Sequence, residues 1–167
     1  MMAGLLMRQT GHWPRNALLV GLGAGSLAKF IYRYLPDCRV TVVEINPQVE
    51  LIARHYFKLP DDPRRPDVEI GRGADFMPGG DRRCDLMLAE GCDPEAKAGA
   101  LDTDPFYQAC RARLSDSGLC SFNLLGWNKG FKGSVERIRA AFDDRVAVFP
   151  SCDSGNTIAF ATGGEPV

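Results

Sequence analysis

The chain has 167 residues, 45% of them apolar and 25% charged, with 20 Lys plus Arg against 21 Asp plus Glu. That length supports one domain with a buried core, and the composition excludes a disordered, collagen-like or membrane-spanning chain. A net charge of −1 gives no general case for nucleic acid or an anionic membrane as partner.

Residues 1–16 read as an N-terminal apolar segment or helix, headed by Met1–Met7. It is too short for a membrane span, and it lacks the basic start and small-residue cleavage site of a signal peptide. Its Met1, Leu5, Leu6 and Met7 are candidate contacts for a homodimer. Ala17–Val20 follows as a buried strand running into glycines. Ser26–Leu35 has Leu27, Phe30, Ile31 and Tyr34 at helical spacing and is stopped by Pro36. Val40–Val43 is a second strand, and Pro47–Tyr56 a helix with proline in its first turn. Val68–Ile70 and Cys84–Ala89 are the next strands. Asp104–Leu114 is a helix, with Asp104 as the expected cap and Pro105 at its first position. Leu119–Leu125 is a fifth strand, and Gly133–Phe142 a helix carrying Val135, Ile138 and Phe142. Val146–Phe149 and Thr157–Ala161 are too close together for a helical crossover, so they should form an antiparallel hairpin.

Strand–helix alternation of this kind predicts an α/β domain. It is a doubly wound seven-stranded sheet with helices on both faces and the last strand antiparallel. The division expected is a Rossmann-like nucleoside-binding domain over 17–162 and a tail over 163–167. None of the six cysteines forms a C-x-x-C pair, and the two histidines lie at no metal-ligand spacing. Reduced, structural thiols in a cytoplasmic protein, and no metal site, are expected.

The residues that carry chemistry gather after the strands. The first strand ends in Gly21-Leu22-Gly23-Ala24-Gly25-Ser26 and opens a helix. A nicotinamide fingerprint starting at Gly21 needs glycine at position 26, where Ser26 stands instead. The G-x-G-x-G form suits an adenosyl sulfonium, which has no pyrophosphate to seat on the helix end. A purely structural turn is the alternative. Glu44 ends the second strand, 21 positions after Gly23, where a carboxylate can accept from both ribose hydroxyls. Gly71-Arg72-Gly73-Ala74-Asp75-Phe76 follows the third strand. Its small residues leave room for an adenine ring, with Arg72 or Asp75 at its edge. The fourth strand leads into Glu90-Gly91-Cys92-Asp93-Pro94. Glu90 and Asp93 can bracket one cationic group, and Glu95, Asp102 and Asp104 add to an acidic loop that suits an amine substrate. Asp93 as a plain turn cap before Pro94 is the alternative. After the fifth strand, the basic, aromatic stretch Lys129–Gly133 is either a lid or an ordinary surface loop.

Taken in order, Leu18–Gly25, Val42–Asn46, Cys84–Leu86, Glu90, Asp93-Pro94, Phe106-Tyr107, Ser117-Gly118, Asn123–Gly126 and Gly155-Asn156 resemble the spermidine synthase (polyamine aminopropyltransferase) family. The similarity is to its bacterial spermidine-synthase-like branch and covers roughly positions 17–162. It implies the class I S-adenosylmethionine-dependent methyltransferase fold, with decarboxylated S-adenosylmethionine as a co-substrate not tightly held. It also implies a putrescine-like amine as acceptor. By this resemblance Glu90 stands at the family's base and Asp93 at its second carboxylate. Gly21, Gly23, Gly25, Glu44, Ile45, Gly73 and Ala74 would contact the nucleoside. Three positions depart from the family. Ala24 replaces an aspartate that grips the donor's amino group, Glu90 is one methylene longer than the family's aspartate, and Arg72 stands where an acid is usual. The family's N-terminal β domain has no counterpart in these residues. Two other functions stay open: a methyltransferase using intact S-adenosylmethionine, and a silent nucleoside-binding or dimerisation module.

Overall fold

Asn16–Val20 (β1) alternates its side chains between two apolar faces, so it can only be buried at the centre of a sheet. Arg39–Glu44 (β2) and Cys84–Ala89 (β4) flank it in parallel. Asp67–Ile70 (β3), Leu114–Leu125 (β5), Val146–Val148 (β6) and Asn156–Thr162 (β7) complete the order β3-β2-β1-β4-β5-β7-β6. The computed structural model describes residues 1–7, 13–62, 65–79, 83–90, 99–125, 129–149 and 155–164. No helix among them is long and apolar enough to cross a membrane.

The doubly wound α/β sheet expected from the pattern is present. The terminal hairpin also forms, but β7 inserts between β5 and β6 and is antiparallel to both. Ser26–Tyr34 (α1), Pro47–Phe57 (α2) and the N-terminal segment cover one face, through Ala28, Ile31 and Ala53 on Ala17, Leu19, Val40 and Val42. Gly73–Phe76 (α3), Asp104–Arg113 (α4) and Phe131–Ala141 (α5) cover the other. There Phe106, Tyr107, Phe122 and Phe142 form a chain of edge-to-face ring contacts, with centroids 5.2–6.0 Å apart. Cys38, Cys84, Cys110 and Cys120 are free and buried. Burial pushes the Cys38 and Cys84 thiols up to about 12, which leaves them unreactive.

Several boundaries differ from expectation for local reasons. The cap of α4 is Thr103, not Asp104: Thr103 has extended backbone, and its hydroxyl accepts the Phe106 N–H at 3.4 Å. β5 begins at Leu114 because α4 runs straight into it, and Leu114 is already paired with Cys84. The register then shifts before Leu119, with Gly118 folded closely onto Ser115. α5 begins at Phe131, which is half-buried against the core on this face. The stretch read as either a lid or a surface loop is therefore mostly a first helical turn. Met2–Met7 forms a 3-10 helix whose Gly4 sits so close to Leu119 and Phe160 that a side chain there would overlap them. Met1, Leu5 and Met7 pack on this chain's own core. Of the four residues expected to be exposed for a dimer, Leu6 alone is open, at 83%. Gly163 is no free tail, since its N–H donates to the Gly118 carbonyl at 2.9 Å.

Candidate active site

The strand order reverses between β1 and β4, and at such a point an open α/β sheet leaves a crevice at the carboxyl ends of its strands. Backbone hydrogen bonds extend the ladder past the strands themselves. Gly21 donates to Val43 O, Glu90 to Val20 O and Gly71 to Glu44 O, each at 2.9 Å. Continuing the registers Val20↔Val43 and Val20↔Ala89 places Gly21 between Glu44 and Glu90. The two carboxylate-bearing residues therefore flank the glycine turn, with Cα atoms about 10 Å apart by strand spacing.

Gly21, Gly23 and Gly25 have φ of 98°, 53° and 70°, all in the region that L side chains avoid. Gly25 also packs on Leu59, where an added Cβ would come within 2.9 Å of Cδ1. At Gly23 an added Cβ would meet nothing within 4 Å. The loop is thus supported by protein at Gly25 and clear of the described residues at Gly23. Gly23→Ala should cost about 1–2 kcal/mol of stability from backbone strain alone. Gly25→Ala should lose more stability through the Leu59 overlap. Urea unfolding of the two variants checks this order.

Glu44 is only 7% exposed, and both of its oxygens are engaged. Oε2 accepts the Leu22 N–H at 2.9 Å and Oε1 the Asn46 N–H at 3.0 Å. The carboxylate therefore staples the glycine turn to the loop that opens α2, where Asn46 Oδ1 caps the helix by accepting from the Gln48 N–H at 3.0 Å. Each oxygen keeps further acceptor capacity for a ligand hydroxyl. Sequence spacing points to the ligand role and misses the staple. Its one sequence signal is a glutamate closing an otherwise apolar strand. Ile45 beside it is 67% exposed and offers apolar surface at the crevice.

Within the Gly71–Phe76 segment, Gly73–Phe76 forms a short helix with Arg72 as its N-terminal cap position. Gly73 lies against Val20 and Leu101, so its missing side chain is filled by protein. Ala74 is half-buried on the core, whereas an added Cβ at Gly71 would meet none of the described residues within 4 Å. Arg72 and Asp75 are exposed and lie 3.6 Å apart, turned to one another. Glu90 is exposed, and its carboxylate has no hydrogen-bond partner among the described residues. Asp93 and Glu95 lie outside the described residues. Asp104 is exposed. Asp102 supplies no free negative charge, contrary to expectation: it accepts from Tyr107 Oη, Ser134 Oγ and Arg137, the last in an ion pair at 2.7 Å. No cluster of metal-ligating side chains occurs among the described residues.

A parallel sheet that reverses only at an inserted seventh strand, with a glycine turn after β1 and an acid closing β2, defines a class I methyltransferase-type α/β domain. Solved structures agree. Human methyltransferase-like protein 13, in complex with SAH, superposes with a TM-score of 0.86 and 26% identity, over 99% of this chain and 81% of that one. A spermidine synthase in complex with the transition-state analogue AdoDATO gives 0.76 and 27%, over 90% and 55%. The polyamine aminopropyltransferase of Neisseria meningitidis serogroup A is 36% identical over 166 residues, which cover 99% of this chain and 62% of the relative. No family model matches. The chain is a homologue of the polyamine aminopropyltransferases and spans about three-fifths of the length of the curated relative it matches.

Proposed function

We propose that this domain transfers an aminopropyl group from decarboxylated S-adenosylmethionine to a putrescine-like amine. The observation that carries the reading is the placement of Glu44 and Glu90 on either side of an open glycine turn. The chain is homologous to polyamine aminopropyltransferases, and one carboxylate could serve the nucleoside while the other serves the attacking amine. Glu44 would accept from the ribose hydroxyls, with Gly21, Gly23 and Gly25 against the nucleoside and Ile45, Gly73 and Ala74 along its base. The amine nitrogen attacks the aminopropyl carbon beside the sulfonium. The new C–N bond forms as the C–S bond breaks, and its electron pair stays on sulfur as neutral methylthioadenosine. The proton shed by nitrogen passes to Glu90, and Asp93 would hold the acceptor's far amino group. Since the leaving group is already cationic, the protein contributes mainly alignment and the base.

Incubation with decarboxylated S-adenosylmethionine and putrescine should release methylthioadenosine and form a C–N-linked product, both read by mass spectrometry. No release with any di- or polyamine would refute aminopropyl transfer. A second reading, methyl transfer from intact S-adenosylmethionine, draws on Ala24 and on the likeness to methyltransferase-like protein 13. Calorimetric titration of the two donors separates the readings: at least tenfold tighter binding of the decarboxylated form supports the first, and the reverse order the second.

A further inference from the structure

Asp102 stands at the end of a 3-10 turn, Gly99–Leu101, and just before α4. Its carboxylate collects donors from two helices. Tyr107 Oη on α4 donates at 2.9 Å, and from α5 Ser134 Oγ donates at 2.8 Å and Arg137 at 2.7 Å through one amino group and 3.3 Å through Nε. Arg137 donates to Ser134 as well, which closes the cluster on itself. An exposed ion pair of this type contributes little, but this carboxylate is half-buried and accepts four charge-assisted or hydroxyl bonds. Burial and the Asp102 charge push the Tyr107 hydroxyl up, so it stays protonated as a donor. The Asp102 bond raises Arg137 in turn.

The neighbouring residue connects this cluster to the crevice. Leu101 lies over Gly73, where an added Cβ would come within 3.3 Å of its Cδ2, and Gly73 in turn presses on Val20. Val20 is the residue immediately before the glycine turn. A displacement of Leu101 therefore reaches the start of α3 directly. Sequence spacing gives no sign of this, since Ser134 and Arg137 are more than thirty residues from Asp102.

We infer that Asp102 is a positioning residue: held by Tyr107, Ser134 and Arg137, it fixes Leu101 on Gly73 and so sets the α3 wall of the crevice. The functional side of this rests on the reading of Gly73 and Ala74 as nucleoside contacts. Asp102→Ala removes the hub, and Arg137→Met removes its α5 ion pair while leaving Ser134 and Tyr107. Arg65→Gln is the control. Arg65 is another part-buried clamp, donating to Leu35, Cys38 and Tyr32 carbonyls at 2.9–3.1 Å, but it lies at the amino ends of β2 and β3, whereas the crevice lies at the carboxyl ends.

Two readouts are needed, hydrogen exchange of the unliganded full chain and calorimetric titration with methylthioadenosine. In Asp102→Ala, exchange of the 73–76 amides should accelerate at least tenfold, and the Kd for methylthioadenosine should rise about tenfold. Arg137→Met should give smaller changes of the same sign. Arg65→Gln should lower the unfolding midpoint and leave both readouts at wild-type values. Unchanged exchange at 73–76 in Asp102→Ala, or an equal change in Arg65→Gln, overturns the inference. Wild-type protein that binds no methylthioadenosine overturns the nucleoside reading instead, and the exchange comparison then decides on the Asp102 link by itself.

Discussion

Replacing Glu90 by glutamine is expected to lower the rate of methylthioadenosine release by roughly 100- to 10,000-fold, the range for loss of a general base. Donor affinity and the unfolding midpoint should stay near wild type. The split follows from where the residue sits. Its backbone is fixed, because the Glu90 N–H donates to Val20 O at 2.9 Å and continues the β4 ladder. Its side chain is exposed and has no partner among the described residues, so the fold does not depend on its charge. Glutamine keeps the shape and loses the ability to take a proton from the attacking nitrogen. Glu90→Asp should retain more activity than Glu90→Gln, because aspartate keeps the base and only shortens its reach by one methylene. Steady-state kinetics with calorimetry of the donor check both variants. Wild-type turnover in Glu90→Gln would move the base elsewhere in the crevice.

The contrast between Gly23 and Gly73 shows what a sequence can carry about this site. Three glycines between an apolar strand and a helix can be read as a turn, since positive φ is a local demand of the backbone. All three do lie at positive φ. Gly73 looks the same in sequence, yet it is a packing glycine, because Val20 and Leu101 arrive from distant parts of the chain. Glu44 is intermediate. Its position at a strand end follows from the pattern, but its two backbone partners depend on how the Gly21–Gly25 and Ile45–Asn46 loops curl toward it. Asp102 is least legible: a carboxylate in an acidic stretch looks solvated until α5 packs beside α4 and neutralises it. The same distinction holds for the fold. The β6–β7 hairpin follows from its short connection, while its insertion beside β5 is decided by Ala159, Phe160 and Ala161 burying against both faces of the core.

Glu44 gives the second large effect, and here stability and binding should fail together. Glu44→Ala leaves the Leu22 N–H without an acceptor in a buried site, at about 1–3 kcal/mol, and frees the Asn46 N–H at a part-exposed one, where water can replace the carboxylate at a smaller loss. It also removes both candidate ribose acceptors, so methylthioadenosine affinity should fall roughly 100-fold or more. Glu44→Gln separates the two roles. Its amide oxygen can serve one backbone N–H, but its NH2 meets the other donor to donor, so about half of the stability loss should remain. An aspartate is too short to span Leu22 and Asn46 together, and so should also lose one of the two bonds. Binding is measured at low temperature, where every variant is folded, and compared with the urea midpoint of each. A staple that never meets the ligand predicts affinities that track stability across the three variants. A staple that is also the ribose acceptor predicts that Glu44→Gln loses far more affinity than its modest unfolding shift accounts for.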